Sequence, residues 1–172
     1  MRGRLKAKAS FWATFCSSFI LVWIMFGVSL EWNEKGQPAR AAFKNQASAL
    51  REKEFVSEAV QKLIATGAAY KVRKKPHIVS PIGVAYREVD PNKPLKKRLI
   101  FNGRYLNKHL VIPKFKYESL SMVRDLLVPS GYMWYFDLTA GYHHVDVHEN
   151  FHTYLGFEWE GEFYQYEFFR LV

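Results

Sequence analysis

Only one cysteine, Cys16, occurs among the 172 residues, which excludes an internal disulfide framework and any cysteine-rich zinc site. A lone thiol suits a reducing, intracellular compartment, cytoplasm or nucleus. No internal repeat and no low-complexity segment is present, which excludes solenoid and compositionally disordered architectures. Acids are scarce early in the chain: residues 1–130 hold nine, against 24 Lys and Arg. The balance inverts over residues 131–172, where Asp137, Asp146, Glu149, Glu158, Glu160, Glu162 and Glu167 meet only Arg170. Within a formal charge of +9, the body therefore carries +15 and the last stretch −6. That polarity fits a protein that handles a polyanion and holds a cation; a solvated basic surface with an acidic tail gives the same numbers.

What is plentiful is apolar and aromatic surface, 49% and 17% of residues, enough for a real core in one modest domain. Some of it is concentrated early. Arg2, Arg4, Lys6 and Lys8 precede residues 11–30, a twenty-residue run with no charge and fifteen apolar side chains. At 1.5 Å per residue such a run can span a bilayer, and the basic flank suits a signal-anchor. Thr14, Ser17, Ser18, Gly27 and Ser29 interrupt it, and a core helix followed by a strand fits it as well.

Residues 33–54 are polar and mixed in charge, a connector running into a helix. Phe55, Val56, Ala59, Val60, Leu63 and Ile64 then form one apolar helical stripe, with Gly67 as the stop. The basic run Lys71, Arg73, Lys74 and Lys75 follows. Residues 78–86 are strand-like, with Ile82, Val84 and Tyr86 alternating. Asp90-Pro91-Asn92-Lys93-Pro94 is turn chemistry, and Lys96, Lys97 and Arg98 lead into Leu99-Ile100-Phe101. This pair predicts an antiparallel hairpin with basic residues near its tip. Residues 118–127 predict a second short helix with Leu120, Val123, Leu126 and Leu127 on one side. Tyr132, Trp134, Phe136 and Leu138 alternate as a strand. Leu155, Phe157 and Trp159 face Tyr164, Tyr166 and Phe168 across Glu160-Gly161, a tight hairpin. The fold class expected is α+β, antiparallel strands with covering helices.

Asp137 stands out because it interrupts an apolar and aromatic strand, where a buried charge is costly unless compensated. A divalent cation would compensate it, as would a strand-end position bonded to backbone amides. The surrounding run Phe136-Asp137-Leu138-Thr139-Ala140-Gly141-Tyr142-His143-His144-Val145 resembles motif A of reverse transcriptases, particularly those of LTR and DIRS-like retrotransposons. Tyr154-Leu155-Gly156-Phe157-Glu158-Trp159 and Tyr164-Gln165-Tyr166-Glu167-Phe168-Phe169-Arg170-Leu171 resemble the hairpin that follows it. Upstream, Arg98-Leu99-Ile100-Phe101-Asn102-Gly103-Arg104-Tyr105-Leu106-Asn107 resembles the fingers motif, and Pro76 with Val79-Ser80-Pro81-Ile82 resembles the strand before it. Trp23-Ile24-Met25-Phe26-Gly27-Val28-Ser29-Leu30-Glu31-Trp32 loosely resembles the aromatic lead-in of related elements, which weighs against a membrane span. Three motifs in the right order cover about residues 50–171.

The resemblance implies the fingers and partial palm of an RNA-directed DNA polymerase over residues 50–172, preceded by a basic, apolar and connecting segment over residues 1–49. It implies that Asp137 is catalytic and binds Mg²⁺, with the Leu138 carbonyl as a second ligand. It implies that Arg98 contacts the triphosphate of a deoxynucleotide and that Tyr142 packs under its sugar. Arg104 and Asn107 are expected as structural braces, and His143 and His144 as packing or surface residues. The partners implied are an RNA template, a DNA primer and deoxynucleoside triphosphates.

Three departures qualify these expectations. Asn102 stands where the commoner pattern has Asp, Gly103 replaces a bulky residue, and Val172 stands where Pro is expected. The family's second carboxylate pair belongs to a Tyr-x-Asp-Asp turn, and no Asp-Asp occurs in this sequence. Two-metal phosphoryl transfer needs carboxylates on both sides of the ions, so these residues alone are expected to lack polymerase activity. The competing readings are a non-catalytic nucleic-acid-binding module and a small membrane-anchored protein held through residues 11–30.

Overall fold

The computed structural model describes residues 5–88, 95–112, 119–128, 130–132, 134 and 145–168. A short 3₁₀ turn (Lys6–Lys8) leads into α1 (Ala9–Trp12) and α2 (Ser18–Phe26). β1 (Ala41–Ala42) precedes α3 (Ala47–Arg51), α4 (Lys53–Ala65) and β2 (Ala69–Val72). β3 (Ile78–Val79), β4 (Ile82–Arg87) and β5 (Lys96–Phe101) follow, then α5 (Arg104–Asn107) and α6 (Leu120–Leu126). A 3₁₀ segment (Glu149–Tyr154) introduces β6 (Gly156–Trp159) and β7 (Glu162–Tyr166).

The strands form a five-stranded sheet in the order β1-β3-β6-β7-β2 and a separate β4-β5 ribbon. Its centre is the β6–β7 hairpin, closed by Glu160 (φ 51°) and Gly161 (φ 80°). Two consecutive positive φ values give the turn whose twist suits a two-residue hairpin. Trp159 pairs with Glu162 and Phe157 with Tyr164, and the Phe157 and Tyr164 rings stack with centroids 5.1 Å apart. β2 pairs antiparallel with β7, Ala69 opposite Tyr166.

The other edge adds parallel pairing to the expected antiparallel strands. β3 pairs parallel with β6, Val79 opposite Gly156, and β1 pairs parallel with β3. Parallel neighbours need a crossover; that from β1 to β3 includes α3 and α4, and a two-residue strand leaves no alternation to read. The expected strand over residues 78–86 divides at Pro81, which has no N–H for a ladder. Before it, β3 lies in the large sheet; after it, β4 turns into the ribbon. Ser80 donates to the Gly156 carbonyl and Asn102 to the Pro81 carbonyl, holding both sides of the bend.

The helix predicted from the stripe is α4, with Val56, Val60 and Leu63 buried. Gly67 follows at φ 69°, the left-handed conformation that ends helices. The core gathers these residues with Ile78, Ile82, Leu99, Phe101, Phe157, Trp159, Tyr164 and Tyr166. Trp159 donates its indole N–H to the Ser57 hydroxyl at 2.9 Å, fixing α4 against β6. The expected connector is structured as well: Asn45 accepts from the Ile82 amide at 3.0 Å and donates to the Glu158 carbonyl at 2.8 Å.

The apolar run over residues 11–30 is not one helix. α1 and α2 are separated at residues 13–17, and α2 ends at Gly27 with φ 88°. The chain then returns to the body: Val28 bridges to Val147 and Trp32 to Leu110, and Leu30 is buried. Among the described residues no helix is long and apolar enough to cross a membrane. The second predicted helix is α6, whose Val123 is exposed, as is Leu127 just beyond it. The strand expected from Tyr132 lies largely outside the described residues; Tyr132 and Trp134 are exposed and outside any strand.

Candidate nucleic-acid interface

The β4–β5 ribbon carries four exposed cations, Arg87, Lys96, Lys97 and Arg98. Its register pairs Ile82 with Phe101, Val84 with Leu99, Ala85 with Arg98, Tyr86 with Lys97 and Arg87 with Lys96. Side chains alternate between the faces of a strand, so the ribbon sorts its residues into two sets. Ile82, Val84, Leu99 and Phe101 share one face and are buried; Tyr86 and Lys97 extend that face outward. Arg87, Lys96 and Arg98 lie on the opposite face, all exposed. None of the three makes an ion pair with another described residue, so three cations share one open face.

The inner face is fastened to the helices by one carboxylate. Glu52, at the junction of α3 and α4, accepts from the Tyr86 hydroxyl through Oε1 at 2.6 Å. Through Oε2 it accepts from the Lys97 ammonium, also at 2.6 Å. The Lys97 hydrogen bond, then that of Tyr86, holds the Glu52 carboxyl below the usual range. The same contact with Glu52 raises both Lys97 and Tyr86 above theirs. Tyr86 and Lys97 are exposed and Glu52 is half-buried, so solvent still weakens the pair; what it supplies is direction more than stability.

At the root of the ribbon, Asn102 accepts from the Arg104 amide at 3.2 Å, just ahead of α5. An aspartate would make the same contact, and the amide makes it without a charge. Gln46, Ile100, Phe101, Asn102, Gly103, Arg104 and Asn107 line a pocket of about 220 Å³ beside it. Leu106 is buried and anchors α5, whereas Arg104 and Asn107 are exposed. A second basic group, Arg73, Lys74 and Lys75, is exposed just past β2. Lys71 is drawn aside by Glu162 at 3.0 Å.

The acidic end folds elsewhere. Asp146, Glu149 and Glu167 line a cavity of about 430 Å³ with Lys6, Tyr70, His148 and His152. His152 is buried, its Nε2 2.8 Å from the Val147 carbonyl. Among the described residues no group of three or more His, Cys, Asp or Glu side chains gathers as a metal site. The expected catalytic and metal residues Asp137 and Leu138, the nucleotide residue Tyr142, and His143 and His144 lie outside the described residues. Of the expected site residues only Arg98 is placed, on the open cationic face. Sequence reasoning missed Glu52 and Arg87. Arg87 was reachable by extending the Ile82-Val84-Tyr86 alternation one position; nothing in the local pattern marks Glu52.

No protein-family model matches the sequence, and no curated protein matches it. Solved structures do. A foamy viral protease-reverse transcriptase in complex with dsDNA superposes with a TM-score of 0.58 at 16% identity, over 84% of this chain and 29% of that one. Native prototype foamy virus protease-reverse transcriptase gives 0.57 at 15% identity, over 82% of this chain and 18% of that one. A selenomethionine-labelled mutant of the prototype foamy virus enzyme gives 0.58 at 12% identity, over 96% of this chain and 22% of that one. The chain thus spans less than a third of the length of these neighbours. At such identities the likeness speaks for the fold alone, and the fold is reverse-transcriptase-like.

Proposed function

We propose that this chain is part of the RNA-directed DNA polymerase of a retroelement, an N-terminal portion holding the fingers and the start of the palm. The observation that carries the reading is the ribbon's sorted charge: Arg98 shares an open face with Arg87 and Lys96, on a reverse-transcriptase-like fold. The neighbours' complexes with double-stranded DNA support a nucleic-acid partner. Guanidinium groups on such a face suit phosphate oxygens of a template–primer or of an incoming deoxynucleoside triphosphate.

Asp137 is the proposed catalytic carboxylate. With the Leu138 carbonyl it would hold Mg²⁺, which when bound supplies charge neutralisation at the transferring phosphoryl group. Tyr142 is proposed to pack under the nucleotide sugar. Because these residues contain no Asp-Asp pair, the carboxylates needed on the far side of the ions must come from elsewhere. Alone, the chain binds nucleic acid without extending a primer.

The test compares the wild-type chain with Asp137→Asn in two titrations. Calorimetric titration with Mg²⁺ is expected to give binding to the wild type that Asp137→Asn abolishes. An RNA–DNA hybrid is expected to bind both, with affinity falling steeply as salt rises. Equal Mg²⁺ binding by the two proteins sinks the assignment of Asp137. Absence of hybrid binding at low salt sinks the polymerase reading.

A further inference from the structure

Four cations sit in the described part of the ribbon, and they are not equivalent. Arg87, Lys96 and Arg98 point away from the helices, while Lys97 shares the face that packs on them. There a carboxylate oxygen of Glu52 already fills the place a phosphate oxygen would take, 2.6 Å from the ammonium. The second Glu52 oxygen is held at 2.6 Å by Tyr86, the cross-strand partner of Lys97. Tyr86 therefore aims the carboxylate, and the pair is a fixed arrangement of three side chains. The Glu52 side chain keeps only 22% of its surface accessible, against 40% for Lys97.

We propose that Glu52 is an internal phosphate mimic that withholds Lys97 from nucleic acid, leaving the polyanion to the Arg87, Lys96 and Arg98 face alone. The inference rests on the nucleic-acid reading above and adds a specific division of labour to it. Counterion release makes that division measurable. Each cation that meets a phosphate changes the slope of log K against log salt by about 0.9, which is about eightfold in affinity at 0.1 M salt. A cation already neutralised inside the protein contributes to neither.

The experiment measures fluorescence anisotropy of a labelled RNA–DNA hybrid with the full chain across a salt series. Lys96→Ala and Arg98→Ala are each expected to weaken binding about eightfold at 0.1 M and to reduce the slope by about 0.9. Lys97→Ala is expected to stay within twofold of wild type with an unchanged slope. Glu52→Gln frees Lys97 and is expected to tighten binding and steepen the slope by about 0.9. Its amide oxygen still accepts from Tyr86, which keeps the ribbon in place. Glu54→Gln, the same charge change at an exposed neighbour, controls for the general field, and the Glu52→Gln gain must vanish when Lys97→Ala is added. The proposal is overturned if Lys97→Ala costs as much as Lys96→Ala, or if Glu52→Gln gains no more than Glu54→Gln. A wild type that does not bind the hybrid overturns both this inference and the reading beneath it, whereas those variant results overturn this inference only.

Discussion

Gly156→Ala is the substitution whose effect follows most directly from the packing. Gly156 is the first residue of β6, buried, and paired with Val79 of the parallel strand β3. A Cβ there would fall 2.6 Å from the Ile78 carbonyl oxygen and press into the ring of Pro76. Neither obstacle is the free end of a flexible side chain, so relief requires β3 to move away from β6 or Pro76 to shift with its loop. Overpacking of this kind costs about 1–3 kcal/mol. Losing glycine's unfolded-state freedom returns roughly 0.4–1 kcal/mol, leaving a net loss of about 1–2 kcal/mol. For a chain of this size that is a fall in Tm of roughly 2–8 °C, readable in a thermal melt followed by circular dichroism. Gly161 is the internal comparison: its φ is +80° and a Cβ there would meet nothing within 4 Å. Alanine there costs about 1–2 kcal/mol through backbone conformation alone, and Asn, which tolerates that conformation, should recover most of it. A Gly156→Ala protein that melts at or above the wild-type temperature would refute the close approach of β3 and β6.

Two further outcomes follow. Asn45→Ala removes the acceptor of the buried strand residue Ile82 and the donor to Glu158, a loss of about 1–3 kcal/mol; native-state hydrogen exchange should speed at the Ile82 amide, and unchanged protection would contradict the contact. The Glu52 tie has a defined pH window. Its folded pKa is lowered, so its contribution is present above the ordinary glutamate range and lost as pH falls through the folded value. Tyr86 is raised, so its contribution is full below the ordinary tyrosine range and lost as pH rises through its folded value. The Tyr86 ring carbon resonances should therefore move at both ends of this window, and Glu52→Gln should abolish the acid-side movement.

Much of the fold was legible because its strongest elements are local. The α4 stripe, the Glu160-Gly161 turn and the β4–β5 alternation each announce themselves within about twenty residues, and each is present in the structure. What the sequence hid is non-local or too short to have a period. β1 is two residues long, and its parallel pairing with β3 depends on a crossover of about thirty-five residues that includes both α3 and α4. Pro81 fell inside the strand expected over residues 78–86, and no local pattern shows that the chain changes sheets there. At the candidate site, Arg98 is placed on an exposed strand face while its role rests on the resemblance, and Glu52 lies 45 positions from Lys97, so only the folded register brings them together. Asp137, Leu138 and Tyr142 rest on resemblance, since they lie outside the described residues.

The central place of the β6–β7 hairpin has a consequence for synthesis on the ribosome. The strands on either side of it, β1 and β3 on one flank and β2 on the other, are all translated before residue 80. They cannot complete a sheet until residues 156–166 emerge to fill the gap between them. At about 5–20 residues per second, that is a wait of several seconds to over ten. During it β2 and β3 present unpaired edges and a half-built core. A nascent chain stalled near residue 130 should therefore bind chaperones and yield to protease, and one extended past residue 168 and clear of the exit tunnel should abruptly do neither.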